Sequence, residues 1–206
     1  YAVDTTLPEA EITIDVIAGD GVINSKESQE TNTTITGTVG KDVKVGDTVT
    51  VSVNGTDYPT TVNLDGKTWS VSVPTSDLLD DGDKQVEAKV TTKDSAGNEA
   101  TASANKVYAV DTTLPEAEIT IDVIAEDGVI NSKESKEENT TITGTVGADV
   151  KAGDTVTVSV NGTDYPTTVN SDGETWSVEV KTSDLLDDSK VTATVTATDD
   201  AGNKAT

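Results

Sequence analysis

The chain has no cysteine, no methionine, no phenylalanine and no histidine among its 206 residues. Lack of cysteine excludes disulfides, thiolate nucleophiles and thiol redox chemistry, and lack of both cysteine and histidine removes the usual zinc ligands. Basic residues are scarce too. Fourteen Lys plus Arg stand against 38 Asp plus Glu, a formal charge of −24 at pH 7. That charge repels nucleic acid and anionic lipid, so no nucleic-acid partner is expected. No apolar run approaches the roughly 20 residues needed to cross a bilayer, and no basic-then-apolar signal pattern opens the chain, so no membrane insertion is expected. Ser and Asp are plentiful, but nothing supplies a general base at neutral pH and no phosphate-cradling glycine motif is present, so catalysis is not expected.

What is present is repetition. Residues 1–81 and 108–188 align at a fixed offset of 107 with nine differences in 81 positions, and Tyr1 to Glu9 recur unchanged as Tyr108 to Glu116. Two copies with the same side chains offer no division of labour between domains, which points to a unit that works by being multiplied. About 107 residues is an ordinary single-domain length. The division expected from the period is 1–107 and 108–206, with the last strand of the second copy cut short at Ala205-Thr206, so the chain reads as an excised piece. After Asp188 the copies diverge: Asp187-Asp188-Ser189-Lys190 answers Asp80-Asp81-Gly82-Asp83-Lys84-Gln85, a change that a surface loop tolerates.

The hydrophobic period is two. Ile12, Ile14 and Val16 alternate with Thr13 and Asp15; Val49, Val51 and Val53 with Thr48, Thr50 and Ser52; Trp69, Val71 and Val73 with Ser70 and Ser72. Turn signals at 40–46, Asn54-Gly55, Asp65-Gly66 and Ala96-Gly97-Asn98 separate these runs. The pattern predicts seven strands in the first copy, near 10–17, 33–39, 47–54, 57–63, 68–73, 85–93 and 99–108. The expected fold is therefore all-β: two tandem immunoglobulin-like antiparallel β-sandwiches of about seven strands each, with almost no helix. Trp69 and Trp176 read as core rather than as sugar-stacking platforms. Tyr58-Pro59 and Tyr165-Pro166 read as edge-strand features. A single capped turn is expected at Ser76-Asp77-Leu78-Leu79, and the acid cluster after it has two readings, a solvated loop or a share in a metal shell.

In this order, Val3-Asp4-Thr5-Thr6-Leu7-Pro8, Gly19-Asp20-Gly21-Val22-Ile23-Asn24, the strand at 46–55, Asp65 to Val71 and Asp94-Ser95-Ala96-Gly97-Asn98 resemble the bacterial immunoglobulin-like repeats of giant repeats-in-toxin adhesins and biofilm-associated surface proteins. The resemblance covers nearly all of both copies. It implies a secreted extender at the bacterial cell surface whose tandem sandwiches are stiffened by Ca²⁺ at their junctions. Antibody-type domains differ: their paired Cys are missing here and the Trp lies on a later strand.

The strongest chemical signal is Asp20-Gly21-Val22-Ile23-Asn24-Ser25-Lys26-Glu27, repeated as Asp127 to Glu134. Its spacing matches the second half of an EF-hand loop: an acid, a turn-forming Gly, a backbone carbonyl from Val22, an Asn, and a closing Glu27. In the second copy the same roles fall to Asp127, Val129, Asn131 and Glu134. The first half is missing, because Val16 and Ala18 stand where oxygen ligands are needed; Asp15 and Asp122 lie one residue earlier, so a shell is expected to be completed from them or from elsewhere. An ordinary Asp-Gly turn with solvated charges is the competing reading.

Strand counting places this loop at the far pole of its sandwich and the Asp94–Asn98 hairpin at the near pole, where the chain comes in. A junction would then gather Asp15, Asp20 and Glu27 from the first copy, Asp111 from the linker, and Asp199 with Asn203 from the second. Asp4, Asp94 and Asn98 form the equivalent near-pole half-site of the first copy. Like charges within a Debye length of about 8 Å would hold such poles apart unless a cation turned them into ligands. Leu7-Pro8 and Leu114-Pro115 each fix a φ angle in the linker. The expected partners are Ca²⁺ ions and neighbouring repeats of the same, monomeric chain. Two other functions fit less of the pattern: an adhesive module that binds glycan or protein directly, and an accessory domain of a secreted hydrolase.

Overall fold

In the first copy, alternating Val and Thr build strands whose inward faces meet across one core. The structure, a computed structural model, describes residues 3–206. Its strands are β1 (Val22–Asn24), β2 (Asn32–Thr38), β3 (Thr48–Val53), β4 (Thr56–Thr61), β5 (Thr68–Pro74), β6 (Gln85–Lys93), β7 (Glu99–Val107) and β8 (Ala109–Asp111). One sheet runs β4-β3-β6-β7 and is antiparallel throughout. Facing it, β2 pairs antiparallel with β5, and the extended segment before β1 adds to β2 through the bridge Ile12↔Val39. Ile35, Val49, Val51, Val53, Val73 and Val86 fill the space between and are almost wholly buried. Chain contacts divide the protein into two compact units, Tyr1–Thr112 and Thr113–Thr206.

The second unit repeats the plan. Its strands are β9 (Asn139–Thr145), β10 (Thr155–Val160), β11 (Thr163–Thr168), β12 (Thr175–Lys181), β13 (Val191–Thr198) and β14 (Lys204–Ala205), with the sheet order β11-β10-β13-β14 facing the pair β12-β9. Both units are immunoglobulin-like β-sandwiches, the all-β class the alternation predicts.

A glycine sets how tightly each sandwich closes. Trp69 on β5 is opposite Gly37 on β2, is fully buried, and its indole N–H donates to the Thr13 carbonyl at 3.1 Å. A Cβ at Gly37 would lie 2.0 Å from that carbonyl oxygen and 2.7 Å from the indole. Gly144, Trp176 and Thr120 reproduce the arrangement. The tryptophans are core, and each welds the first extended segment to the β2–β5 or β9–β12 pair.

Three details depart from the predicted elements. The predicted strand at 10–17 forms no regular strand: residue 17 already opens a turn, and the pairing of the segment before it with β2 is limited to a few bonds such as Thr13 N–H to Thr38 and Asp15 N–H to Thr36. Helix is short but present: α1 (Thr75–Asp80) and α2 (Thr182–Asp187) are longer than the single turn expected. Each is pinned to an edge strand, since the Tyr58 hydroxyl on β4 donates to Asp77 and that of Tyr165 on β11 donates to Asp184. Finally, β1 and β8 form a parallel pair that alternation alone does not announce.

Candidate metal centre

The far-pole loop of the first unit is folded by its own side chains. Ala18 and Gly19 both take positive φ, 54° and 85°, and the Gly21 N–H closes the turn on the Ile17 carbonyl at 2.8 Å. Asp20 Oδ1 then accepts the Val22 N–H at 2.9 Å, an Asx turn. Beyond it, Asn24 Oδ1 accepts the N–H groups of Lys26 and Glu27, each at 3.0 Å, while Glu27 Oε2 accepts the Asn24 N–H at 3.0 Å. This reciprocal pair has the bond pattern of a capping box, made across the turn that leads into the 3₁₀ turn Glu27–Gln29. The Asn-x-x-Glu spacing that suggests a cation loop is thus also a local folding signal.

The second unit repeats these bonds: Val129 N–H to Asp127 Oδ1 at 2.9 Å, Asn131 N–H to Glu134 Oε2 at 2.9 Å, and Asn131 Oδ1 accepting from Lys133 and Glu134 at 2.9 and 3.1 Å. One substitution matters locally. Glu126 replaces Gly19 yet holds φ 63°, a left-handed conformation that costs a residue with a Cβ about 1–2 kcal/mol.

Asp15 does not reach into its loop through a bond of its own; its Oδ2 accepts the Thr36 hydroxyl at 2.6 Å, as Asp122 accepts that of Thr143 at 2.6 Å. Asp111, on β8, is brought level with Asn24 by the parallel register.

At the near pole the expected residues do come together. The Asn98 amide donates to Asp94 Oδ2 at 2.8 Å and to the carbonyls of Asp4 and Thr6, both at 3.2 Å. Asp94 Oδ1 accepts the N–H groups of Ala96 and Asn98 at 2.9 Å. These donors, the Asn98 amide foremost, hold the Asp94 carboxyl below the usual carboxylate range. Asp199 and Asn203 match them, with bonds of 2.8 and 2.9 Å and the same direction of shift led by the Asn203 amide. Both are therefore held as carboxylates.

Two features escaped the sequence reading. A lysine stands at each near pole: Lys44 Nζ donates to the Lys93 carbonyl at 2.7 Å, and Lys151 Nζ pairs with Asp200 at 2.6 Å. Nothing in the turn at 40–46 marks Lys44. The other is Asp81, which is neither solvated nor aimed at a cation: it is buried, and its Oδ2 accepts the Tyr108 hydroxyl at 3.0 Å and the Gln85 N–H at 3.1 Å.

As a donor set these residues offer carboxylate, amide and carbonyl oxygens and no nitrogen or sulfur, which suits a hard cation such as Ca²⁺. Among the described residues, no three acidic side chains are grouped closely enough to hold an ion by themselves. A complete shell needs backbone carbonyls, water or further carboxylates.

Tandem immunoglobulin-like sandwiches with acidic, hydrogen-bonded loops at their poles define a class of repeated β-domain. Compared with solved structures, the chain is 39% identical over 98% of its length, at a TM-score of 0.80, to a Ca²⁺-stabilized adhesin that helps an Antarctic bacterium reach out and bind ice. It is 40% identical over 98%, at a TM-score of 0.78, to a structure from a 1.5-MDa bacterial ice-binding adhesin and its host cell surface retention. A bacterial immunoglobulin-like domain from the M. primoryensis ice-binding adhesin is 38% identical over 50% of the chain and 99% of that domain, with a TM-score of 0.46. The chain spans 48% and 62% of the first two structures. No protein-family model and no curated protein matches it. The chain belongs to the bacterial immunoglobulin-like repeats of large bacterial adhesins.

Proposed function

We propose that the chain is a non-enzymatic spacer in the extender region of a bacterial cell-surface adhesin, with Ca²⁺ held at the junctions between 1–107 and 108–206 and between further repeats. The observation that carries this reading is the duplication of pole chemistry: Asp20, Asn24 and Glu27 recur with the same bonds as Asp127, Asn131 and Glu134, and Asp94 with Asn98 as Asp199 with Asn203. A binding module would need one distinctive site; a spacer needs the same ends many times.

The far pole offers Asp15, Asp20, Glu27 and Asp111, with the Val22 carbonyl and Asn24; the following near pole offers Asp199 and Asn203. Asp122, Asp127, Val129, Asn131 and Glu134 form the next far pole, and Asp4, Asp94 and Asn98 the first near pole. A bound Ca²⁺ supplies positive charge that converts mutual repulsion of these carboxylates into shared ligation. The Asx turns and reciprocal Asn-Glu bonds pre-shape the loops, which lowers the ordering entropy of binding. The relatives' Ca²⁺ stabilization supports the choice of ion. Among the described residues no helix is long and apolar enough to cross a membrane. An extracellular location agrees with the adhesin relatives.

Small-angle scattering and thermal unfolding of the 206-residue chain in calcium and in EDTA test the proposal. Chelation is expected to broaden the distribution of interunit distances and to lower the unfolding temperature. Identical profiles in both buffers would remove the Ca²⁺-stiffened mechanism.

A further inference from the structure

Both sandwiches carry the same tip on an edge strand. The β3–β4 hairpin turns through Asn54-Gly55 and the β10–β11 hairpin through Asn161-Gly162, and among the chain's asparagines only these two precede a glycine. Each turn takes positive φ at both residues, 49° and 74° in the first and 48° and 72° in the second, as a type I′ turn requires. All four residues are exposed, and β4 and β11 lie at the edges of their sheets. A Cβ placed on Gly55 or Gly162 would meet nothing within 4 Å. Elsewhere the same groups are tied down. Asn24 Oδ1 holds two N–H groups, and the amides of Asn63 and Asn98 donate to Thr68 at 2.9 Å and to Asp94 at 2.8 Å. The glycines after Asp20 and Asp65 give their N–H to the carbonyls of Ile17 and Asn63 at 2.8 and 2.9 Å, and Gly128 and Gly173 repeat these bonds. Neither the side-chain amide of Asn54 nor the Gly55 N–H has a partner among the described residues, and Asn161 with Gly162 match them.

We propose that Asn54 and Asn161 are sites of self-modification, at which the following glycine nitrogen attacks the side-chain amide and each hairpin tip becomes an aspartate or an isoaspartate. The reaction consumes only water. The Gly55 nitrogen bonds to Asn54 Cγ, the Cγ–Nδ2 bond breaks, and the Gly55 proton leaves with the amide nitrogen as ammonia, closing a five-membered succinimide. Water then opens the ring. Addition at Cγ gives aspartate, whereas addition at the main-chain carbonyl carbon of Asn54 gives isoaspartate, with the backbone running through Cγ. Glycine suits the attack because no Cβ crowds its nitrogen, and here no hydrogen bond has to break to free it. The side chain must swing over its own carbonyl, so the turn has to loosen; on an edge strand that loosening starts at the outermost pair, Val53↔Thr56. The two products act differently. Aspartate keeps the turn, since Asp-Gly suits the same φ values, and adds a carboxylate to a strand end that already carries Asp57, or Asp164 in the second unit. Isoaspartate adds a carbon to the main chain, and a two-residue turn lengthened in this way no longer fits the register Ser52↔Asp57. No proposed calcium ligand lies in either turn, so the two readings stand or fall separately.

Peptide mapping by mass spectrometry tests the proposal on the 206-residue chain, incubated folded at mildly alkaline pH. It reads conversion as the exchange of NH2 for OH, with isoaspartate resolved by chromatography. Conversion is expected at Asn54 and Asn161, with Asn24, Asn63 and Asn98 intact and the Asp-Gly turns at 20–21 and 65–66 free of isoaspartate. The chain in urea is the comparison. There the turn bonds are gone, so isoaspartate is expected at Asp20 and Asp65 as well. Gly55→Ala sets a methyl group beside the attacking nitrogen and is expected to slow conversion at Asn54 about tenfold, while Asn161 proceeds unchanged as the internal reference. Gly162→Ala reverses the roles. The isoaspartyl form of the chain, separated by ion exchange, is expected to unfold at a lower temperature than Asn54→Asp, which carries the charge without the extra carbon. Asn54 and Asn161 intact in the folded chain but converted in urea, isoaspartate arising as fast at Asp20 and Asp65 in the folded chain, or a Gly55→Ala rate equal to the parent's would each overturn the proposal.

Discussion

Glu27 stands at a point where local folding and cation binding make different demands, and substitution separates them. Its Oε2 accepts the Asn24 N–H at 3.0 Å while Asn24 Oδ1 holds the N–H groups of Lys26 and Glu27. Glu27→Gln keeps a carbonyl oxygen at the same reach, so without calcium it loses only the surplus of a charge-assisted bond over a neutral one, about 1 kcal/mol or less. Asn24→Ala removes the acceptor of two N–H groups and is expected to cost about 1 kcal/mol without calcium, and more with it, because Asn24 also belongs to the proposed shell. If Glu27 closes a Ca²⁺ shell with two oxygens, the parent chain gains about 2.7 kcal/mol at a calcium concentration of 100 times Kd, and Glu27→Gln loses most of it. For a unit of this size that is a difference on the order of 10 °C in unfolding temperature. Scanning calorimetry of the whole chain in calcium and in EDTA reads it, with Glu134→Gln making the same change in the second unit. A calcium-induced shift in Glu27→Gln as large as in the parent chain would show that this carboxylate binds no ion.

Two further outcomes are open to measurement. Gly37→Ala forces a Cβ to within 2.0 Å of the Thr13 carbonyl and against Trp69, and overpacking plus the strained indole bond is expected to cost about 3–4 kcal/mol by calorimetry. Gly46→Ala, at φ 84° with nothing within 4 Å, is the control at about 1 kcal/mol, and equal costs would refute the packing argument. Because Asp94 and Asp199 have folded pKa values below the ordinary 3.8, their contribution is present above the unfolded value and is lost as pH falls through the folded one. Resistance to denaturant is therefore expected to fall below about pH 4, and Asp94→Asn to flatten that dependence in the first unit. An unaltered slope would show that the Asp94–Asn98 bonds do not favour the carboxylate.

Much of the site was legible because its bonds are local. Asp20 to Val22, Asn24 to Glu27 and Asp94 to Asn98 each act within four residues, so spacing alone exposes them. The fates of Asp81 and Lys44 were not legible: one receives Tyr108 from 27 positions away, the other reaches the carbonyl of Lys93 across 49. Charged residues in a loop read as solvated unless the partner that covers them is known.

The chain's alternation of Val, Ile and Thr decided that it makes sandwiches and which side chains face inward, because a period of two fixes the buried face of a strand wherever it lies, and its repeat at an offset of 107 decided that there are two of them. Alternation carries no label for which edge meets which. Only the tertiary structure decided that Tyr108–Asp111 lie along Val22–Asn24 and fill a socket of the first unit, since that choice depends on Ile23, Leu78, Asp81 and Gly21 converging from separate turns. A repeat's period and its folded boundary differ here because hydrophobic burial and backbone pairing act through space, and the chain satisfies both with residues from the start of the next copy.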